Sequence, residues 1–165
     1  MLFRSLEREE FQNFVEMSGQ LPQDDDGYLA HFAHGAVQRH RDWLLWNEMR
    51  AQYRRYWKEF FTNYDVLLCP ITPTAAIPHD HSEPMLARTI QVNGQTRPYL
   101  DIVAWAGLIG MAYLPVTMAP VGCTSQGLPV GVQIVGPYLE DRTTIDFARR
   151  LADVIGGFEA PSGYE

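Results

Sequence analysis

Few side chains in this 165-residue chain have both the type and the spacing for chemistry. His79-Asp80-His81 places two imidazoles around a carboxylate. Alternate residues of an extended segment point to one side, so the pair could meet one metal ion, or one imidazole could act as a base oriented by the aspartate. Pro78 and Pro84 bracket the triplet, which equally fits a solvated loop. Asp24-Asp25-Asp26-Gly27 gathers three carboxylates, but a calcium loop needs oxygens at alternate positions and a closing bidentate Glu, and no such spacing follows. The run is expected to cap a helix starting near Tyr28, where carboxylates accept orphan N–H groups and oppose the helix dipole favourably. His31 and His34 lie one helical turn apart without the further ligands of a tetrahedral set. Cys69 and Cys123 each sit in an apolar run and read as buried thiols of a reducing compartment. Lys58 is the single lysine, and the five serines (Ser5, Ser18, Ser82, Ser125, Ser162) are scattered. No metal site and no cofactor is expected.

The elements that must position these groups follow from periodicity. Apolar residues at Leu2, Phe3, Leu6, Phe11, Phe14 and Val15 trace one helical face before Gly19 and Pro22. The most regular helical pattern covers residues 40–63, where Leu45, Met49, Tyr53, Tyr56 and Phe60 form a stripe expected to face a core. Arg41, Arg50, Arg54 and Arg55 lie between its aromatics, where their stems can cover rings while their heads stay wet. A short strand is expected over residues 64–70, with Pro70, Pro73 and Pro78 excluding helix or central pairing beyond it. Residues 89–97 read as a hairpin, because Asn93-Gly94 suits the positive φ angles of a primed turn. Pro98 starts a mostly apolar helix over residues 99–109 that ends at Gly110. A last helix follows Glu140-Asp141 and buries Ile145, Phe147, Ala148, Leu151, Ala152 and Ile155, leaving residues 158–165 as a loosely held tail.

Between these helices stands the most distinctive segment, residues 127–136, where Val130, Val132, Ile134 and Val135 favour a pleated sheet. Gly127 and Gly136 bound it, and Gly131 admits close approach of a backbone or ligand. Residues 114–122 read as its antiparallel partner, with residues 123–126 as the turn. The pair carries Pro115, Pro120 and Gly122, then Gly127, Leu128, Pro129, Gly131, Gln133 and Gly136. It resembles the C-terminal section of amidase signature enzymes, with their phrases G-x-P-x-x-x-x-P-x-G and G-L-P-x-G-x-Q-x-x-G, most closely in the second. Tyr64, Asp65, Leu67, Leu68, Pro70, Thr72 and Pro73 also resemble the family's Y-D-x-L-L-x-P-T-x-P phrase, with one residue inserted between Pro70 and Thr72.

The resemblance implies an α/β fold, with a mixed sheet flanked by helices and a helical N-terminal third. It implies one domain over residues 1–165, with a helical part to residue 63, a sheet-completing part over 64–157 and a tail. It also implies that the proline loop runs toward the active-site region and that the helix over 99–109 lines the acyl side of the pocket, which makes Asp101, Trp105 and Gly110 pocket candidates. The family's Ser-Ser-Lys machinery, in which one serine attacks an amide carbonyl while lysine moves the proton through the other, belongs to a Gly/Ser-rich stretch absent from these 165 residues. The expected function is that of a C-terminal section of an amide hydrolase, inactive by itself and needing a missing N-terminal part or a partner subunit for activity. The alternative is a stand-alone binding or scaffolding protein, and an independent enzyme using His79, Asp80, His81 or Cys123 is a third.

Composition sets outer limits. A 46% hydrophobic and 20% charged chain of this length can bury roughly 70% of its unfolded surface in one core. The net charge of −7 argues against nucleic-acid or anionic-membrane partners, despite the Arg–aromatic interleaving. No apolar run reaches the ~18 residues of a membrane span, and no signal peptide is seen, so the cytoplasm is expected. A severed sheet would leave unpaired backbone and apolar surface exposed, so self-association is expected as well.

Overall fold

The computed structural model describes residues 7–160 and 163. The chain divides into two compact units, Met1–Glu48 and Met49–Glu165. The boundary falls inside a long helix, before the end of the expected helical part.

In the first unit, α1 (Arg8–Gln20) packs on α2 (Tyr28–Ala36). Gly19 does not stop α1; the helix ends at Leu21, whose extended backbone is what the following Pro22 requires. Leu2, Phe3 and Leu6 lie outside the described residues. The buried surface of α2 is small, Ala30 and Ala33, which lets a neighbouring backbone come close. The aspartate run does not cap this helix. Asp25 Oδ1 accepts the Gly27 N–H at 2.8 Å, Gly27 holds the cap position, and no side chain caps it.

The long helix α3 (His40–Phe60) corrects the expected stripe. Leu45, Met49, Tyr53 and Tyr56 are exposed, at 60% and 66% for Leu45 and Tyr56, and no residue of the helix is fully buried. The partly buried line is Arg50, Arg54 and Trp57, continued by Phe61 beyond the helix end. That face lies about 100° around the helix from the expected one. A hydrophobicity pattern places arginine outside, but here two arginines are taken up by tyrosine rings of other segments. Arg50 Cζ lies 4.2 Å from the Tyr113 ring centre and Arg54 Cζ 4.9 Å from that of Tyr138.

The second unit is built on β1 (Leu67–Pro70), β4 (Val116–Cys123) and β5 (Pro129–Val135), in the order β1-β5-β4. A separate hairpin joins β2 (Thr89–Val92) to β3 (Gln95–Pro98) through Asn93 and Gly94, at φ 51° and 76°. The expected primed turn is what forms. Every ladder among the described residues is antiparallel. The expected helix after Pro98 is a 3₁₀ turn, Tyr99–Val103, that leads into α4 (Ala104–Gly110).

Register decides the two faces of the central sheet. Leu67, Val135 and Val116 align across the strands, as do Cys69, Gln133 and Met118. This face meets Ile109, Ala112 and Leu114, with Trp57, Phe61 and Trp105 packed around them. Burying Ile134 and Val135 completely contributes about 1.5–3 kcal/mol each. The opposite face, carrying Thr117 and Ile134, is covered by α5 (Asp141–Ile155). The Thr144 hydroxyl donates to the Asp141 carbonyl at 2.8 Å and takes the Thr117 hydroxyl at 2.8 Å. Ile145 and Ile155, expected inside, are exposed, because α5 turns the line of Thr144, Phe147, Ala148 and Leu151 toward the strands.

Candidate functional site

The family phrases meet at one corner of the sheet. β1 pairs with β5 so that Pro70 lies opposite Val132 and Cys69 opposite Gln133. Gln133, 2% exposed, donates its Nε2–H to the Pro70 carbonyl at 2.7 Å. This bond satisfies a carbonyl at the point where the chain leaves β1 for the proline loop, and an unmet buried partner would cost about 1–3 kcal/mol. Beside it, a cleft of about 240 Å³ is lined by Ile71, Thr72 and Ala75 from the loop and by Pro129, Val130 and Gly131 from β5. The Thr72 hydroxyl is turned to the Thr74 carbonyl at 2.5 Å.

The glycines have local reasons. A β-carbon on Gly131 would lie 2.7 Å from Ile71 Cδ1 and 3.3 Å from the Ala119 carbonyl oxygen, so the bare backbone lets the proline loop sit on the strand. A β-carbon on Gly136 would lie 2.5 Å from Thr144 Cγ2, and this glycine brings α5 onto the sheet. Gly122, at φ 141°, closes the register shift that β4 makes between Pro120 and Gly122. Pro120 is tolerated because β4 is an edge strand. Gly127, at φ 78°, closes the turn with its N–H on the Thr124 carbonyl at 2.9 Å, and Leu128 follows with its N–H on the Thr124 hydroxyl at 3.1 Å. Pro115 offers its carbonyl to the Gly136 N–H at 3.0 Å.

The other candidates are not brought to this corner. Asp101 faces Arg97 Nε at 2.7 Å, Trp105 packs against the core, and Gly110 is exposed at the end of α4. None of the three lines the corner cleft. Tyr64 is exposed and stacks on Phe60 at 4.7 Å between ring centres, and Asp65 lies in the segment before β1. Pro73 lies in the loop beyond Thr72.

His79 and His81 lie with ring centres 5.9 Å apart, and Asp80 is bonded to Ser82. Its Oδ1 accepts the Ser82 N–H at 2.9 Å and the Ser82 hydroxyl at 2.6 Å, and these bonds hold its carboxyl below the usual range. His31 donates to Asp26 Oδ1 at 3.1 Å while His34 donates to the Pro22 carbonyl at 3.2 Å, so the two rings serve different partners. Among the described residues, no three His, Cys, Asp or Glu side chains converge as a metal would require. Cys69 is buried, and burial pushes its thiol up. Cys123, expected inside, is exposed at the end of β4, because the strand outruns its cover. The Ser18 hydroxyl is spent on the Val15 carbonyl, and Ser5 and Ser162 lie outside the described residues.

Sequence reasoning missed Tyr113 and Tyr138. Tyr113 takes a left-handed φ of 57° two residues before Pro115, where the G-x-P phrase has glycine. Its hydroxyl meets Arg50 Nη1, and its ring lies under that guanidinium. A non-glycine residue in this region costs of order 1 kcal/mol and needs such anchoring. The departure from the phrase at position 113 was the available signal. No described helix is long and apolar enough to cross a membrane.

A family model described as Amidase matches residues 27–145, well over half of the chain. Fatty-acid amide hydrolase 2-A of Danio rerio is 40% identical over 58 residues, covering 35% of this chain and 11% of that protein. A glutamyl-tRNA(Gln) amidotransferase subunit of Brucella ovis is 31% identical over 99 residues, 60% of this chain and 18% of the relative. Among solved structures, one reported as a vestigial protein complex that reveals the origins of an s-triazine catabolic enzyme superposes with a TM-score of 0.65 at 24% identity, covering 92% of this chain and 33% of its own. The crystal structure of an amidase gives 0.64 at 18% identity, over 90% and 33%. The chain therefore spans a third of these solved chains and a smaller share of the curated relatives. With its family phrases locked into one sheet corner and its match across residues 27–145, this chain belongs to the amidase family.

Proposed function

We propose that this chain acts as the C-terminal section of an amide-hydrolysing enzyme, supplying scaffold while the nucleophile and its proton relay come from polypeptide outside these 165 residues. The Gln133–Pro70 bond carries this reading: the most polar residue of the strongest family phrase is used to join β5 to the proline loop. Its second N–H lies in a residue that is 2% exposed. The corner is thus a rigid wall against which a catalytic centre can be assembled. The exposed apolar line on α3 and Met118 and Val121 on edge strand β4 support self-association, or cover by a partner section, in a cytoplasmic setting.

The test is to offer the purified chain an activated aryl amide and a fluorophosphonate that labels activated serines. No turnover and no labelling are expected, and light scattering should give a dimer or larger. Turnover abolished by a Ser82→Ala or Cys123→Ala exchange would overturn the reading and establish an independent enzyme. A monodisperse, inactive monomer would favour the alternative of a stand-alone binding protein, for which the wider cleft beneath α3 is the supporting observation.

A further inference from the structure

A cleft of the second unit, about 670 Å³, lies away from the family corner, between the end of α3, the segment before β1 and the loop that enters α5. Phe61, Leu114 and Pro137 give it an apolar floor. Its cationic side is set by α3. Arg54 and Lys58 are four residues apart and so share a helix face, with Arg55 beside them. Arg54 is fixed by stacking, 4.9 Å from the Tyr138 ring centre and 5.9 Å from that of Tyr113. A guanidinium near aromatic rings can still present its N–H groups to a planar anion. Lys58 stands exposed on the rim with no ion-pair partner among the described residues.

Two carboxylates, Asp65 and Glu140, line the cleft as well. Neither forms an ion pair with Arg54 or Lys58; Glu140 Oε2 accepts the Thr143 hydroxyl at 3.2 Å. Arg54 and Lys58 therefore share the cleft with two acids. That balance suits a monoanion, because a dianion would meet both acids across the cleft. The apolar floor selects a ligand with an apolar body, and the size falls within the range of small-molecule sites.

We propose that this cleft is a binding site for small carboxylates with an apolar body, the carboxylate held by Arg54 and Lys58 and the body resting on Phe61, Leu114 and Pro137. Binding there does not depend on amide hydrolysis, so it stands or falls apart from the function proposed above.

The experiment is calorimetric titration of the whole chain with sodium phenylacetate, with phenylacetamide as the neutral isostere and inorganic phosphate as the dianionic control. Phenylacetate is expected to bind saturably and more tightly than either control. Lys58→Gln, at an exposed position that leaves the fold intact by circular dichroism, should weaken it about tenfold, the loss of one charge-assisted contact. Tyr138→Leu should weaken it as well by releasing Arg54. Equal binding of the acid and its amide, tighter binding of phosphate, unchanged affinity in the Lys58→Gln variant, or no binding at all would overturn the proposal.

Discussion

Strand β5 and helix α3 are both rich in large apolar side chains, yet they use them in opposite ways. From Gln133 to Val135 each residue of β5 is at most 2% exposed, gripped by β1, β4, α5 and the core on its two faces. Along α3 nothing is fully buried, and Leu45, Trp46 and Tyr56 are each at least 60% exposed. A central strand has neighbours on four sides, whereas a helix on the outside of a unit is gripped along one stripe only. The lesson is that atoms removed from β5 leave holes or clashes, while atoms removed from the open side of α3 leave only water.

Gly136→Ala is the sharpest test, because its new carbon would meet Thr144 Cγ2 at 2.5 Å in the tightest part of the sheet. A loss of about 3 kcal/mol in denaturant unfolding is expected. Adding Thr144→Ser, which removes that methyl and keeps the hydroxyl bonds, should restore much of it. A neutral Gly136→Ala would break the contrast with α3.

Gln133→Leu should cost somewhat less, about 1–3 kcal/mol, by leaving the Pro70 carbonyl without its 2.7 Å donor. The same unfolding measurement checks it.

On the helix, Tyr56→Ser should change monomer stability by no more than about 0.5 kcal/mol. It should instead reduce self-association in sedimentation velocity; a large stability loss would mean that the open face of α3 is covered within the chain.

The smallest effect belongs to α5. Arg150 and Arg149 hold the Asp146 carboxyl below its ordinary value of 3.8. A carboxyl with a depressed folded pKa contributes stability above its unfolded value and loses it as pH falls through the folded one. The melting temperatures of wild type and Asp146→Asn should therefore differ slightly at neutral pH and converge below pH 3.8, where the wild type loses the advantage. The pair is solvent-exposed, so added salt should shrink the difference.

Much of the sheet was legible because its signals are local. Asn93-Gly94 dictated a primed turn whatever surrounded it, and the glycines and branched residues of 127–136 marked a strand that had to be buried. The aspartate run misled because capping depends on one residue of register: Gly27 took the cap position, and Asp25 spent its carboxylate one step early. The face of α3 was illegible for a different reason. The inner line of the helix runs through two arginines, and that choice depended on Tyr113 and Tyr138, more than fifty residues away, which accept Arg50 and Arg54 against their rings.

For the candidate site the division is similar. The phrases around Pro70, Gly131 and Gln133 announced that something specific happens there, but not that a side-chain amide of one phrase would hold the backbone of the other. The 670 Å³ cleft had no motif at all, since its cations, rings and acids come from three separated stretches. Sequence alone determined which family this chain belongs to, where its turns fall and which strands form, because those depend on local backbone preferences and short-range pattern. Only the tertiary structure decided which helix face is inside, what Gln133 does and where a cleft opens, because burial is a property of pairs of surfaces and no single segment carries both members of a pair.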